Sequence, residues 1–309
     1  MIPSGAPPAE VDVTVELATS LLSGQHPDLA HLPIGTRFDG WDNVTFRLGD
    51  ELALRLPRIA AGAALLLHEL TWLPVLSAHW TFAAPVPLRR GEPTGDYPWA
   101  WSVVPWIAGV EAAEVPLTAA AAPALGRAMR EIHQTAPDDA PRNPWRSGPL
   151  AARDQEFRER VGELLTRAPG AGMTLDGDAL LRHWEAAISA PVDSPPTWIH
   201  ADLHVRNIVS RGGNLGGILD WGDSAAGDPC VDLGQAWQLL PAEAVEDCFA
   251  AYGRMSDALR VRAFGSGAFF NVSHALEPSA VHSRAGWTGL VRQGLATAAR
   301  APAPRRPTG

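Results

Sequence analysis

The chain contains no lysine, since all 25 basic residues among its 309 are arginine. Any role that chemistry usually gives to lysine must therefore be filled by arginine. The 34 acidic residues bring the formal net charge to -9, and no basic face is visible outside the short carboxyl-terminal tail. Because binding to nucleic acid requires a basic surface that neutralises phosphates, the composition argues against a nucleic-acid binder and favours cationic or metal-bound partners.

Cysteine and long apolar runs are also scarce. Cys230 and Cys248 form neither a Cys-x-x-Cys pair nor a dense framework, which indicates reduced structural thiols, with a disulfide as the minority alternative. No apolar run approaches the roughly 18 residues of a membrane span. The opening MIPSGAPPAEVDVT lacks the basic region and apolar core of a secretory signal. We therefore expect a cytoplasmic protein with no membrane partner.

The hydrophobic pattern predicts a small β-rich lobe followed by a larger helical one. In TFRLGDELALRLPR, two short apolar runs flank Gly49 and Asp50 as in a hairpin. Helical spacing follows from Ala60 to Leu73, where Pro74 interrupts it. The stretch WAWSVVPWI (99–107) then resembles a strand that runs into a connector, and this connector is the predicted boundary between the lobes.

Beyond the connector the pattern is mainly helical. Thr118 is a candidate cap for a helix that carries Leu125, Met129 and Ile132 on one face. Further amphipathic segments occupy 151–167, 178–189, 241–252 and 285–298. Between them, TWIHADLHVRNIV and LGGILDWGD are predicted to be short strands with loops, joined by a turn at 212–214.

The segment HADLHVRN carries the residues most suited to chemistry. Asp202 stands five residues before Asn207, and Asp220 follows thirteen residues later in ILDWGD. Phosphoryl transfer needs one carboxylate to orient the attacking hydroxyl, and oxygen ligands such as an amide and a second carboxylate to hold Mg²⁺ on the phosphates. The rival interpretation is a His-x-Asp-x-His metal site of a hydrolase, but no histidine-rich cluster in the sequence completes its ligand set.

HADLHVRN followed by DWG resembles the catalytic and metal-binding loops of aminoglycoside phosphotransferases, which are antibiotic kinases with a protein-kinase-like fold. The resemblance extends over GWDNVTFRLGDELALRLPR, LHELTWLPVL, YPWAWSVVPWIAG and GDPCVDLGQAW, and so over most of the chain. It implies an α+β, bilobal fold. The N-terminal nucleotide-binding lobe would be 1–104, the C-terminal catalytic and acceptor-binding lobe 105–300, and a disordered tail 301–309.

The resemblance also implies roles for individual residues. Asp202 would be the catalytic base, and Asn207 and Asp220 would bind Mg²⁺. Arg55 would take the place of the usual lysine on the phosphates of ATP or GTP, with Glu69 as its partner. The remaining nucleotide contacts are assigned to Ala53, Asn43, Val103, Val104, Trp106 and Leu219.

Plainer interpretations of several of these residues stay open at this point. Arg55 is also consistent with a solvated strand residue, and Glu69 with an exposed acid at the edge of an apolar helix face. The loop FDGWDNV, which holds Asn43, is also explained by an ordinary turn between strands. His200 is expected to bond nearby backbone, and Asp228 and Asp232 to be structural acids.

The acceptor is predicted to be a small hydroxylated molecule, and an aminoglycoside-like or other antibiotic is the leading class by resemblance. The alternatives are a metabolite kinase acting on an amino alcohol or a sugar, and a non-catalytic nucleotide-binding relative. Between 202 and 247 eight acids face only two arginines. This excess predicts a cationic acceptor if Asp223, Glu243, Glu246 or Asp247 lines the cleft.

Overall fold

The computed structural model describes residues 6–299, so the predicted tail at 301–309 lies outside the described residues. The strands are β1 (Ile34–Asp39), β2 (Asn43–Leu48), β3 (Leu52–Pro57), β4 (Arg89–Gly91), β5 (Trp101–Pro105), β6 (Val110–Glu111), β7 (Met173–Leu175), β8 (Thr197–Ile199), β9 (Ile208–Arg211), β10 (Asn214–Ile218), β11 (Ala225–Gly227) and β12 (Ala296–Ala298). The α-helices are α1 (Val15–Gln25), α2 (Ala60–Leu76), α3 (Ala122–Ile132), α4 (Asp154–Arg167), α5 (Gly177–Ser189), α6 (Cys230–Leu233), α7 (Ala236–Leu239), α8 (Val245–Tyr252), α9 (Asp257–Leu276) and α10 (Ala280–Arg292).

The N-terminal part is built on an antiparallel sheet in the order β1-β2-β3-β5-β4. Successive side chains of a strand alternate between the two faces of a sheet. One face packs Phe46, Leu54 and Val103 into an apolar core that also contains Leu21 and Leu22 of α1. The other face carries Ala53 and Arg55.

The predicted hairpin is confirmed, because β2 and β3 pair antiparallel and Gly49 between them has a φ of 56°. A glycine takes this left-handed conformation without steric cost. Helix α2 follows as expected but is not stopped by Pro74, which lies inside it. Pro74 removes only one hydrogen-bond donor so close to the end that the last turn persists to Leu76.

The segment Ala60–His79, which is α2 and the turn after it, is long and apolar enough to cross a membrane by length and composition alone. The expectation that no apolar run approaches this length is therefore wrong. A single such helix is weak evidence, and α2 packs against β3 and β5 while burying the side chain of Glu69.

The C-terminal part is mainly helical and has its own large apolar core. Helix α9 is its centre and packs against α4, α5, α6 and α10. The sequence pattern did not reveal α9, because a helix that is buried on nearly every side shows no single apolar stripe. Its small residues permit close packing: a Cβ on Gly265 would lie 2.2 Å from Cβ of Ala187.

Several other boundaries differ from the predicted ones. Helix α1 was not predicted. Helix α10 starts before 285 and ends at Arg292, and β12 then pairs with β7. The Thr118 hydroxyl does not cap a helix but donates to the carbonyl of Gly213 at 3.2 Å, and so ties the start of the helical region to the β9–β10 hairpin.

Close packing of α3 on α8 generates a stability prediction. A Cβ on Gly126 would lie 2.1 Å from the carbonyl oxygen of Cys248, whereas one on Gly162 of α4 would meet nothing within 4 Å. We expect Gly126→Ala to lower the free energy of unfolding by about 1–3 kcal/mol. The matched control Gly162→Ala should raise it by about 0.5–1 kcal/mol. Urea unfolding measures both, and equal effects of the two substitutions would contradict the packing of α3 on α8.

Candidate functional site

The catalytic-loop segment HADLHVRN begins where β8 ends and adopts a strained conformation. Ala201 has a φ of 71°, in the left-handed region that a residue with a Cβ seldom occupies. His200 is fully buried, its Nε2 donates to the carbonyl of Leu219 at 2.8 Å, and its Nδ1 accepts from the N–H of Asp202 at 3.2 Å. His200 therefore bonds nearby backbone, as the sequence predicted.

A buried carboxylate holds this conformation in place. Asp232 lies in the short helix α6 and is fully buried. Its carboxylate accepts from the N–H of His200 at 2.6 Å and from the N–H of Ala201 at 3.0 Å. His133 is hydrogen-bonded to the same carboxylate at 3.1 Å. Burial alone would raise the pKa of Asp232, but His133 and His200 lower it, so the acid stays ionised. Asp232 is a structural acid, and its task is to fix the catalytic loop.

Asp202 points its carboxylate toward three donors. Asn207 donates to Oδ2 at 3.2 Å, Nε2 of His204 lies 3.3 Å from Oδ2, and the guanidinium of Arg146 lies 3.9 Å from Oδ1. Burial opposes ionisation, but His204, Arg146 and His200 outweigh it and hold the pKa of Asp202 well below its ordinary value. Such a carboxylate is ionised at every working pH, so it is suited to orienting a hydroxyl by accepting its hydrogen bond.

The β9–β10 hairpin brings Asn207 and Asp220 together, because Asn207 precedes β9 and Asp220 follows β10. The N–H of Leu219 donates to the carbonyl of Asn207 at 2.8 Å, which joins the two loops directly. The side-chain nitrogen of Asn207 is occupied by Asp202, so its oxygen is the atom left for a cation. Asp220 is exposed and has a φ of 60°, which turns the chain sharply at that point.

These donors fit Mg²⁺, which prefers a few protein oxygens together with phosphate and water. Asp42 and Asp223 lie near Asp220. Burial, followed by the charge of Asp220, raises the pKa of Asp42. Burial, followed by the charges of Asp202 and Asp220, raises the pKa of Asp223. Crowded carboxylates of this kind favour a divalent cation. Within residues 6–299 no three His, Cys, Asp or Glu side chains form a metal site by themselves. Mg²⁺ would therefore be shared between Asn207, Asp220 and the phosphates.

The hydrolase alternative is not supported by the geometry. His200 is turned away toward Leu219 and packs edge-on against Trp221, so His200 and His204 do not converge. His204 instead packs against the rings of His274 and His282, with centroids 5.7 and 5.1 Å away. That packing adds no ligand set in the part of the chain described here.

Arg55 and Glu69 form a buried pair across the sheet and α2. The guanidinium donates to Oε2 of Glu69 at 2.5 Å, while Oε1 accepts from the N–H of Trp221 at 2.8 Å. Burial alone would lower the pKa of Arg55, but Glu69 and Asp220 raise it, so the arginine remains charged. Glu69 is 2% exposed, so it is not an exposed acid at the edge of the helix face. Arg55 is bound to it and is not a solvated strand residue. One carboxylate thus connects the sheet to the loop that carries Asp220.

The neighbours of Arg55 on the sheet divide between its two faces. Ala53 pairs with Val104, and both share the face of Arg55. Val103 lies on the opposite face, in the apolar core, and its carbonyl accepts from the N–H of Leu88 at 2.8 Å. Alternation along β5 therefore turns the side chain of Val103 away from the face of Arg55, and its assignment to the nucleotide site, as a backbone contact, stays a prediction.

Trp106 follows β5 and contributes a ring to the site. Its ring lies 5.3 Å from that of Phe38 and 4.6 Å from the guanidinium of Arg47. Phe38 and Arg47 share the face of Ala53 through the registers of β1, β2 and β3. The N–H of Trp106 is used by the carbonyl of Glu51 at 2.7 Å. The backbone donor of Trp106 is thus already used, and its ring is the group open to a further contact.

Asn43 and Leu219 are held in different ways. The carbonyl of Asn43 accepts from the N–H of Gly40 at 2.8 Å, which closes the turn between β1 and β2, and its buried side-chain oxygen has no protein partner. A Cβ on Gly62 would lie 2.5 Å from the carbonyl of Asp42, so the turn rests on the start of α2. Both backbone groups of Leu219 are used within the site, and only its half-buried side chain is left for a nucleotide.

Of the four acids expected near the acceptor, Asp223 lies beside the catalytic loop. Its Oδ1 accepts from the side chain of Asn143 at 2.8 Å. Glu246 instead pairs with Arg260 at 2.9 Å. Glu243 lies near Arg292, and its charge opposes the lowering of the Arg292 pKa by burial. The acidic excess counted along the sequence is therefore mostly spread over other surfaces.

Sequence reasoning missed Arg146. Its Nε donates to the carbonyl of Ala201 at 3.0 Å, its guanidinium faces Asp202, and the same group lies 4.5 Å from the ring of Phe270. The segment NPWRSG has no periodicity and no motif, and Arg146 is 56 residues from Asp202 along the chain. Only the folded chain brings the two together.

Comparison with protein families gives one match: residues 35–266 match the model of the family described as phosphotransferase enzyme family. The matched range contains Arg55, Glu69, Asp202, Asn207 and Asp220. No curated protein matches the chain.

Solved structures with the same fold include a GDP complex of wild-type aminoglycoside 2'-phosphotransferase-IIIa, with a TM-score of 0.64, 19% identity, and coverage of 90% of this chain and 97% of that one. Macrolide 2'-phosphotransferase MphH from Brachybacterium faecium has a TM-score of 0.55 and 21% identity, over 89% and 98% of the two chains. A streptomycin-ATP-APH(2'')-IIa ternary complex has a TM-score of 0.52 and 16% identity, over 91% and 97%. The bilobal kinase-like fold is thereby confirmed.

The role of Asp232 can be tested directly. An asparagine there has one acceptor oxygen, so one of the N–H groups of His200 and Ala201 would lose its acceptor, at a cost of about 1–3 kcal/mol in unfolding free energy. Because folding lowers the pKa of Asp232, its contribution is present above the ordinary value of 3.8 and is lost as pH falls through the folded value. We expect Asp232→Asn to be destabilised at neutral pH and the exposed Asp247→Asn to be unchanged. Equal stability of the two variants would rule out this role.

Proposed function

Because the chain belongs to the phosphotransferase enzyme family and has an antibiotic-kinase fold, we propose that it transfers the γ-phosphoryl group of ATP or GTP to a hydroxyl of a small molecule. The observation that carries the proposal is the position of Asp202 beside Asn207, with Asp220 joined to them by the β9–β10 hairpin. That the enzyme is a phosphotransferase follows from its family. The nucleotide, the acceptor, the residue roles and a cytoplasmic location are parts of the proposal.

The reaction assigns one task to each group. The acceptor oxygen forms a bond to the γ-phosphorus, and the bond from that phosphorus to the β,γ-bridging oxygen breaks as the nucleoside diphosphate leaves with the electron pair. Asp202 orients the hydroxyl and takes its proton; because its pKa is low, it takes that proton late, when the new bond has made the hydroxyl acidic. Asn207 and Asp220 would hold Mg²⁺, which would neutralise phosphate charge when bound.

Arg55 is proposed to hold the phosphates. Arginine keeps a positive charge and can contact two oxygens at once, so it serves where relatives of this fold use lysine. Glu69 prevents Arg55 from turning away by holding one of its nitrogens. The base would then lie near Ala53, Val104 and the ring of Trp106. Solved relatives are described with GDP and with ATP, so both nucleotides are proposed.

The chemical class of the acceptor is the most specific part of the proposal. Relatives are described in complexes with kanamycin, streptomycin and gentamicin, and others are macrolide phosphotransferases, so an antibiotic remains the leading class. Asp223 is the acid available beside Asp202, while Arg146 and Arg206 lie nearby. We therefore narrow the cationic acceptor predicted from the sequence to a molecule with one amino group near the reacting hydroxyl.

The proposal is tested with Asp202→Asn and γ-labelled ATP. Purified protein with Mg²⁺ is screened against aminoglycosides, macrolides, amino alcohols and sugars, and label transferred to an acceptor is measured. Because Asp202 acts on the hydroxyl and not on the nucleotide, we expect turnover to fall roughly a hundredfold or more while ATP affinity changes little. Asp247→Asn is the matched control. Near-normal transfer by Asp202→Asn would refute the assigned role.

The charge of the acceptor is tested with Asp223→Asn at about 50 and about 500 mM salt. For the wild type, the KM for an amine-bearing acceptor should rise with salt, because salt partly screens the attraction between a solvated amine and the half-buried Asp223. Asp223→Asn should raise the KM at low salt and remove most of the salt dependence, while Glu246→Gln should leave both unchanged. A salt dependence that survives in Asp223→Asn would contradict this contact.

A further inference from the structure

Arg146 lies beside the catalytic loop, but the proposed reaction gives it no task. It belongs to the segment 142–148 between α3 and α4, and its side chain is 24% exposed. Asn143 ties this segment to the site, because its side chain donates to Oδ1 of Asp223 at 2.8 Å and accepts from the N–H of Arg146 at 3.1 Å. The backbone of Arg146 is therefore fixed relative to the loop that follows Asp220.

Two contacts orient the guanidinium of Arg146. Its Nε donates to the carbonyl of Ala201 at 3.0 Å, and its central carbon lies 4.5 Å from the centroid of the Phe270 ring in α9. Ala201 is the left-handed residue of the catalytic loop, so its N–H donates to Asp232 while its carbonyl is turned toward Arg146. The strained conformation of Ala201 thus fixes both the loop and the arginine.

The two terminal nitrogens of this guanidinium have no hydrogen-bond acceptor among residues 6–299. The one carboxylate oxygen within 4 Å of them in this range is Oδ1 of Asp202, and at 3.9 Å from Nη2 it is too far for a hydrogen bond. Burial lowers the pKa of Arg146, and the charge of Asp202 only partly offsets this effect. A half-buried cation with such incomplete compensation favours a further anion.

The reacting centre supplies that anion. A hydroxyl that donates to Asp202 lies about 2.7 Å from a carboxylate oxygen, and the phosphorus that it attacks lies directly beyond it. Arg55 is near Asp220, on the side of the departing nucleoside diphosphate. The carboxylates that act on Arg146 are instead Asp202 and Asp223, on the acceptor side. The two arginines therefore flank the path of the phosphoryl group.

We propose that Arg146 is a catalytic residue whose terminal nitrogens donate to the equatorial oxygens of the transferred phosphoryl group in the transition state. The inference rests on the proposed function and adds a second cation on the acceptor side of that reaction. Negative charge spreads over these oxygens while the bond to the acceptor oxygen forms and the bond to the β,γ-bridging oxygen breaks. A donor that is already held in place stabilises this charge without reorganisation.

The test compares the affinity of the full chain for Mg·ADP with and without fluoroaluminate, measured by calorimetry in the absence of an acceptor. Fluoroaluminate takes the place of the transferred phosphoryl group, so it should tighten Mg·ADP binding by the wild type at least about tenfold. Arg146→Gln should bind Mg·ADP as the wild type does but lose most of this tightening. Tightening that survives in Arg146→Gln overturns the proposal.

The glutamine separates catalysis from support of the loop. Its amide nitrogen occupies the position of Nε, so it can still donate to the carbonyl of Ala201, and only the two terminal nitrogens and the charge are lost. Because Asp202 acts on the hydroxyl, an Arg146 that merely positioned Asp202 would leave the tightening unchanged when no acceptor is present. Arg146→Met, which keeps the apolar stem over Phe270, replaces Arg146→Gln if the latter lowers the Tm, and it too must lose the tightening.

Arg160→Gln is the matched control. Arg160 also lies over a ring of α9, 5.6 Å from the centroid of Phe269, but its guanidinium pairs with Glu156 at 2.7 Å. This variant should keep both the affinity for Mg·ADP and the tightening by fluoroaluminate. An equal loss of tightening in Arg146→Gln and Arg160→Gln would reduce the effect to one of general charge and overturn the proposal.

A transfer assay distinguishes this role from acceptor binding. With γ-labelled ATP and an acceptor from the phosphoryl-transfer screen, Arg146→Gln should lower kcat about a hundredfold, while the KM values for ATP and acceptor change less than about threefold. A raised acceptor KM with unchanged kcat would make Arg146 an acceptor-binding residue and overturn the proposal. Fluoroaluminate that fails to tighten Mg·ADP in the wild type would count against the proposed function, and the inference would fall with it. Tightening in the wild type that Arg146→Gln retains leaves that function standing and removes only the role of Arg146.

Discussion

The two lobes are joined at the site by one buried carboxylate. Glu69 binds Arg55 of the sheet through one oxygen and the N–H of Trp221 through the other. Removal of either partner would leave charge or polar atoms buried without compensation, which is far costlier than losing an exposed ion pair. Glu69 therefore determines the position of Arg55 relative to Asp220, and with it the place where phosphates and Mg²⁺ would meet in the proposed reaction.

A second buried acid, Asp232, fixes the loop that carries Asp202, just as Glu69 fixes Arg55. Asp232 stabilises the left-handed conformation of Ala201 through two backbone N–H groups, and this turns Asp202 toward Asn207. Strained residues persist only where their surroundings hold them in place. Glu69 and Asp232 are both buried, and their hydrogen bonds hold the two loops rigidly. Asp202 and Asp220 remain accessible for chemistry.

Much of the site could be predicted from local sequence patterns. The residues that hold the site in place could not. Alternation along β3 is enough to place Ala53 and Arg55 on one face of the sheet, and the turn predicted at 212–214 is enough to bring Asp220 back toward Asp202 and Asn207. The same alternation places the side chains of Val103 and Val104 on opposite faces of the sheet. Arg146 and the backbone contacts of Asp232 depend on packing between segments distant in sequence, and α9 was missed because nearly all its faces are buried. The acidic run overstated the charge of the cleft, because Glu246 pairs elsewhere.

The central claim, that Glu69 acts on the nucleotide through Arg55, is tested by the affinity for Mg·ATP of Arg55→Ala, Glu69→Ala and the double variant, measured by calorimetry. If Glu69 orients Arg55, each single substitution weakens binding and the double variant binds no more weakly than Arg55→Ala, with a coupling of at least about 1 kcal/mol. Independent losses that add in the double variant, or unchanged affinity in Arg55→Ala, would contradict the account.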